Sequence, residues 1–175
     1  MRKIGTIKHN GTLVAVDPCY NVHESKFCGK HLNLPKGEYD VYIQETRCDL
    51  VGGIVLIEKG VKVSAINKAV HPNDSYWCGV DAGCVMLADK TYYKNTHNDN
   101  GADDSWYNNE VIAHAYDNYH FPNNECVIVS SGNGDGSYPV YELYIDHHIV
   151  GCCVKFLDFG KGFFEVRTGL SYILK

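Results

Sequence analysis

Short runs in which apolar and polar residues alternate recur along this chain, and they constrain its fold more than any other feature. Residues 39–44, Tyr-Asp-Val-Tyr-Ile-Gln, show the period of two that is typical of a half-buried β-strand. Turn signals rich in Gly, Pro, Asn and Asp separate the runs, and helical segments do not alternate with them. The pattern predicts a mainly β fold, either a single-domain antiparallel β-sandwich or an open barrel, with one or two short helices.

Ten segments have the composition of strands, and one has the composition of a helix. The predicted strands are residues 4–8, 12–16, 39–44, 51–57, 61–66, 76–80, 84–88, 125–131, 138–145 and 150–157. Turn signals predict a hairpin at Asn10-Gly11 and another at residues 58–60. The last three strands are predicted to form a meander that turns at residues 146–148. Residues 106–116 are predicted to form a helix, with Val111 on its apolar face.

Length and charge limit the classes of protein to which the chain can belong. Its 175 residues suit one domain, residues 1–175, and 45% of them are hydrophobic. The net charge of −5 argues against general nucleic-acid binding, which depends on Lys and Arg neutralising phosphates. No run approaches 18 apolar residues, so no membrane span is predicted.

Eight cysteines are many for this length. The first residues, Met-Arg-Lys, do not lead into the apolar stretch of a signal peptide, so we expect a cytoplasmic protein with reduced thiols. Cys126, Cys152 and Cys153 lie in apolar runs and are predicted to be buried. Cys152 and Cys153 are neighbours in a strand, so they should point to opposite faces of the sheet.

A glycine-rich segment, residues 130–141, is the strongest candidate for a ligand-binding loop. It reads Ser-Ser-Gly-Asn-Gly-Asp-Gly-Ser-Tyr-Pro-Val-Tyr and lies between two predicted strands. Glycines allow backbone conformations that turn several N–H groups toward one point, and at least one of Gly134 and Gly136 is expected to have a positive φ. The segment lacks both the phosphate-binding G-x-G-x-x-G pattern and the P-loop lysine.

Several segments occur together in an order that is similar to a known family. They are Asp17-Pro18, residues 34–41, residues 79–83 with Asp89, residues 131–141, and residues 151–159. In these segments the chain resembles the DUF4241 family of bacterial and bacteriophage proteins over about residues 12–159. The resemblance implies a common fold but no particular reaction.

The predicted ligand site lies where Asp17-Pro18, residues 80–83 and residues 132–138 come together, because each segment follows or precedes a strand. Its predicted ligand-binding residues are Asp17, Tyr20, Asp81, Gly83, Ser131, Gly134, Asp135, Gly136 and Tyr138. The tyrosines offer flat surfaces for stacking, unless they pack in the sheet. No resident cofactor is predicted, although clustered aspartates, with Asp89 as a further candidate, would suit Mg²⁺ or Ca²⁺. The alternative is that each aspartate accepts N–H bonds in its own turn.

Other chemistry is less well supported by the sequence. His71, Cys78, Cys84 and His97 lack the close spacing of structural zinc ligands. His114, His120 and the pair His147-His148 are more typical of exposed polar residues than of metal ligands. A Cys–His nucleophilic pair stays open, because its members need only be adjacent in space.

Two functions from different classes follow from these observations. The first is a non-enzymatic binding or interaction protein of bacterial or phage origin, with homo-oligomerisation as an open possibility. It would capture a small ligand or nucleotide signal, or mask an effector of host defence. The alternative is a metal-dependent phosphoester hydrolase that uses the clustered aspartates, with Asp81 and Asp135 as first ligands. No catalytic residue can be assigned from the sequence.

Overall fold

The computed structural model describes residues 1–20, 29–46, 49–70, 77–96 and 105–157. Within them the chain forms two antiparallel sheets and two short α-helices, as the alternating pattern predicts. The twelve strands are β1 (Arg2–His9), β2 (Leu13–Val16), β3 (Lys30–Leu32), β4 (Gly37–Glu45), β5 (Val51–Glu58), β6 (Lys68–Val70), β7 (Trp77–Val80), β8 (Cys84–Asp89), β9 (Tyr119–Asn123), β10 (Cys126–Ser130), β11 (Gly136–Ile145) and β12 (His148–Lys155). The helices are α1 (Lys90–Lys94) and α2 (Ser105–Glu110).

The two sheets differ in size. The large sheet has seven strands in the order β1-β4-β5-β12-β11-β6, and β7 also pairs with β11. The small sheet has five strands in the order β3-β2-β8-β10-β9. They pack face to face as a sandwich, the first of the two architectures predicted.

The core between the sheets follows from the alternation of side chains along each strand. In β8, Val85 and Leu87 point into the sandwich, whereas Met86 and Ala88 point to the outer face of the small sheet. A second apolar layer covers that outer face and includes Tyr93 and Val111 from the helical segments. The small sheet is therefore buried on both faces.

Cysteine placement agrees with the predicted burial. Cys152 lies in the inner core and Cys153 in the cluster on the outer face of the large sheet, so the adjacent residues point to opposite faces as predicted. Cys126 is buried as well. The six cysteines that the structure describes form no disulfide with one another, and Cys28 and Cys48 lie outside the described residues.

The predicted hairpin at Asn10-Gly11 is wrong. The strand β1 pairs with β4 in the large sheet, whereas β2 pairs with β3 and β8 in the small sheet. The turn is held by Asp89, whose Oδ2 accepts hydrogen bonds from the backbone N–H groups of Asn10 (2.9 Å) and Gly11 (3.1 Å). The chain therefore crosses between the sheets at this turn.

Three further sequence predictions require correction. Residues 61–66 form no strand with β5, because a short 3₁₀ helix occupies Val63–Ala65 and β6 follows it. The strand β10 belongs to the small sheet, so only β11 and β12 of the predicted meander pair directly. The helix predicted over residues 106–116 is divided into α2 and a 3₁₀ helix, Ile112–His114, on either side of the buried Val111.

No helix in the described part of the chain is long and apolar enough to cross a membrane. The strands β3 and β9 and the helix α1 were not located from the sequence. The strand β3 has only three residues, and β9 contains Pro122, which is unfavourable within a strand.

Candidate functional site

The three segments of the predicted site come together, and two of them are connections between the sheets. Residues 81–83 connect β7 in the large sheet to β8 in the small sheet, and residues 131–135 connect β10 to β11 in the reverse direction. Asp17-Pro18 directly follows β2. We use the name crossover loops for residues 81–83, residues 131–135 and the adjoining Asp17-Pro18. The prediction that they meet is confirmed by hydrogen bonds between them.

Asp17 anchors two of the crossover loops. Its Oδ2 accepts hydrogen bonds from the backbone N–H groups of Asp81 (2.5 Å) and Ala82 (2.7 Å), and its Oδ1 accepts one from Cys19 (2.7 Å). The residue is fully buried. A buried carboxylate that accepts three N–H bonds has the structural role of a turn residue.

The glycine-rich loop is tied to residues 81–83 and closed on itself. The N–H of Ser131 donates to the carbonyl of Gly83 at 2.9 Å. The carbonyl of Gly134 accepts bonds from the hydroxyls of Ser131 (2.6 Å) and Tyr138 (2.7 Å). Gly134 has a φ of 91°, which confirms the predicted positive φ, and Gly136 is close to extended at 159°.

The predicted site residues therefore bond mainly to one another. The hydroxyl of Tyr20 donates to the Asp81 carboxylate. The ring of Tyr138 is buried in the core, edge-to-face with Phe156 at 5.3 Å between centroids, so it offers no stacking surface. Asp135 is exposed on the loop. Hydrogen bonds among these residues join the crossover loops to one another.

Asp89 does not join this group. In the pairing of β2 with β8, Leu13 lies opposite Asp89 and Val16 lies opposite Met86, so Asp17 and Asp89 are at opposite ends of the pair. Asp89 accepts three backbone N–H bonds, from Asn10, Gly11 and Thr91. Burial alone raises its pKa, but these bonds outweigh burial and hold the pKa below its usual value.

A cleft of about 60 Å³ lies directly beside the crossover loops, on the outer face of the small sheet. Its floor and rim are formed by sheet and loop residues, namely Ala82, Gly83, Cys84, His120, Ile128 and Ser130. Its opposite wall is formed by the segment that runs from α2 past the 3₁₀ helix, namely Tyr107, Glu110, Val111, Ile112, His114, Ala115 and Asp117. Gly83 thus connects the predicted site to the cleft.

Two stacked histidines dominate the polar part of the cleft. The imidazoles of His114 and His120 are parallel within 8°, with 3.6 Å between centroids. The ring nitrogen His114 Nδ1 is 2.7 Å from Asp117 Oδ2, and His120 Nε2 is 2.7 Å from Glu110 Oε2. Each imidazole is therefore oriented by its own carboxylate.

Two ionisable side chains of the cleft, Cys84 and Tyr107, have raised pKa values. Burial, assisted by the negative charge of Asp17, raises the pKa of the Cys84 thiol to about 12. Burial, assisted by Cys19, Cys84 and Asp17, also raises the pKa of Tyr107 to about 12. Among the hydrogen bonds of the described residues, none joins the hydroxyl of Ser130 to either imidazole. The raised pKa of Cys84 is the opposite of the lowered pKa that activates the thiol of a Cys–His pair.

In the described residues no three His, Cys, Asp or Glu side chains are grouped so as to hold an ion. Two members of the hypothetical zinc set, His71 and His97, lie outside the described residues. The parallel stacking of His114 on His120 also prevents both rings from directing a lone pair at one metal ion.

The residues of the cleft wall were missed by sequence reasoning. A signal for two of them was present, because Glu110 and His114 are four residues apart and would share one face of the helix predicted over residues 106–116. Asp117 directly follows that segment. Nothing in the sequence indicated His120, which reaches the cleft only because β9 pairs with β10, where His120 lies opposite Ile128.

Comparison of the chain with family models, with curated proteins and with solved structures gives no match. The resemblance to the DUF4241 family therefore stays a prediction.

Proposed function

We propose that the protein is a non-enzymatic binding protein that holds a small ligand, or a small group of a partner molecule, in the cleft beside the crossover loops. The observation that carries this proposal is the pair of stacked imidazoles, each oriented by a carboxylate in a preformed cavity. Binding sites typically combine an apolar lining with a few fixed polar groups. Val111, Ile128 and Ala115 supply the apolar part here.

The scaffold around the cleft favours binding without large rearrangement. The floor belongs to a sheet that is buried on both faces, and the rim is held by the hydrogen bonds of Asp17 and Ser131. A site held in its binding geometry loses less entropy when a ligand binds. Binding without covalent catalysis by Cys84 is supported by its raised pKa, because the thiolate is the nucleophilic form.

A pair of matched variants tests this function. Ala115 directly follows the 3₁₀ helix Ile112–His114 and lines the cleft, whereas Ala113 lies within that helix and does not line the cleft. Both alanines are exposed. Ala115→Phe should fill the cavity, and Ala113→Phe should leave it open. We expect NMR screening with small cations, neutral amides, carboxylates and phosphates to yield ligands that bind the natural protein and Ala113→Phe but not Ala115→Phe.

Two results would contradict the proposal. One is a screen in which every ligand binds Ala115→Phe and the natural protein equally well. The other is conversion of a bound ligand to a product over time, since a binding protein returns its ligand unchanged.

A further inference from the structure

The polar groups of the cleft are arranged mainly as hydrogen-bond acceptors. An ionised carboxylate can only accept, so the nitrogens His114 Nδ1 and His120 Nε2 carry the protons that they share with Asp117 and Glu110. When an imidazole is neutral, its second ring nitrogen, His114 Nε2 or His120 Nδ1, is a hydrogen-bond acceptor. Among the described residues, the remaining oxygens, Glu110 Oε1 and Asp117 Oδ1, receive no hydrogen bond. A complementary ligand must therefore supply several donors.

The charged residues of the cleft also favour a ligand that donates hydrogen bonds. Of the described residues that line the cleft, two are carboxylates and none is Lys or Arg. The chain as a whole carries a net charge of −5. A phosphate or carboxylate ligand would meet no Lys or Arg side chain there, whereas a cation would form charge-assisted hydrogen bonds with Glu110 and Asp117.

The size and the flat walls of the cleft narrow the class of ligand further. The cleft of about 60 Å³ has room for roughly four to six non-hydrogen atoms. Flat side chains, His114, His120 and Tyr107, form part of its wall and floor. A guanidinium group is small, planar and always charged, stacks on aromatic faces, and presents five N–H donors without an acceptor.

We propose that the cleft binds a guanidinium group, which Glu110, Asp117 and the acceptor nitrogens of His114 and His120 recognise. The inference rests on the proposed function and names the chemistry of the ligand for the same site. The guanidinium group belongs either to an arginine side chain of a partner protein or to a free small molecule. Both would present the same group to the cleft.

Methylguanidinium chloride is the probe, with methylurea as a neutral compound of the same shape. Both are titrated into the full chain at constant ionic strength, while NMR follows the ring protons of His114 and His120. We expect saturable shifts with methylguanidinium and at least about tenfold weaker binding of methylurea, because methylurea lacks the charge and has a carbonyl that faces the acceptors.

Three variants locate the effect. Glu110→Gln and Asp117→Asn each should raise the Kd for methylguanidinium about tenfold, since each removes one charge-assisted hydrogen bond. Glu125→Gln removes one negative charge from the turn before β10, outside the cleft, and should leave the Kd unchanged. Thermal unfolding checks that each variant is folded. Asp117 is exposed, so its variant carries the test if Glu110→Gln does not fold.

N-acetylarginine amide distinguishes the two sources. Tighter binding of this compound than of methylguanidinium assigns the group to a protein side chain, and the reverse order assigns it to a free small molecule. Equal binding of methylurea and methylguanidinium, or an equal loss in Glu125→Gln, would overturn the guanidinium inference. If other ligands bind and are lost in Ala115→Phe, the binding function stands and only the ligand class fails.

Discussion

The buried carboxylate of Asp17 accepts the backbone N–H of Asp81 at 2.5 Å, and this bond joins the end of β2 to the crossover between the two sheets. The same oxygen accepts the N–H of Ala82, which lines the cleft. One side chain thus sets the position of the cleft rim relative to the small sheet. Asp89 does the equivalent at the opposite end of β2 and β8 for the turn at Asn10-Gly11.

Replacing Asp17 tests this role directly. Asp17→Ala removes the acceptor for three backbone N–H groups in a buried place, and we expect the free energy of unfolding to fall by about 3 kcal/mol. Asp135→Ala, on the exposed part of the glycine-rich loop, is the control and should change it by less than about 0.5 kcal/mol. Urea unfolding of both variants measures the difference, and equal effects would show that Asp17 does not anchor the loops.

The glycines of the same loop should differ in their tolerance to alanine. Gly132 has a φ of 71°, and a Cβ there would lie 2.5 Å from the carbonyl oxygen of Val51. Left-handed strain and this contact together should make Gly132→Ala cost about 3 kcal/mol. Gly134→Ala meets open space and should cost only about 1 kcal/mol for its φ of 91°. Denaturant midpoints that fall in the reverse order would contradict this reading.

Stability should fall on mild acidification because of His9. The residue is fully buried, and burial lowers its pKa below the usual 6.5, although the negative charge of Asp89 opposes the shift. Below about pH 6.5 the unfolded chain therefore binds more protons at this site than the folded chain, so protonation favours unfolding. The contribution of neutral His9 to the free energy of unfolding is complete above pH 6.5 and is lost as the pH falls toward the folded-state pKa of His9.

The pH dependence is measured by urea unfolding between about pH 5 and pH 7.5. His9→Phe should flatten the curve, and the control His147→Gln, in the exposed turn between β11 and β12, should not. Part of the change in unfolding free energy with pH should persist in His9→Phe, because burial and the neighbouring Lys90 also lower the pKa of His31. A slope that is unchanged in His9→Phe would show that His9 is not a source of the effect.

Thiol chemistry provides a further test. Burial raises the pKa of Cys84 and Cys153 to about 12, so these two thiols should react slowly with iodoacetamide in native protein near neutral pH. The unfolded, non-reduced protein should titrate as eight thiols, the number in the sequence. A count of six or fewer would mean that at least one disulfide exists.

The prediction of the Asn10-Gly11 turn shows how far local signals reach. Asn-Gly correctly indicated a turn, because these residues tolerate the backbone that a turn needs. The turn is held by Asp89, which is 79 residues from Asn10 in the sequence, and the strand that follows pairs with β3 and β8. The same limit explains the predicted meander, in which β10 was correctly located but belongs to the other sheet.

The amino-acid sequence by itself determined the mainly β fold, most strand positions, the opposite orientation of Cys152 and Cys153, and the turns that became the crossover loops. These properties depend on side-chain period and on the conformational limits of Gly, Pro, Asn and Asp, which act over a few residues. Which strands share a sheet depended on the tertiary structure alone. The same is true of the hydrogen bonds by which Asp17 holds the crossover loops, and of the stacking of His114 on His120. Those outcomes depend on contacts between residues far apart in the chain, whose geometry exists only after both sheets have packed.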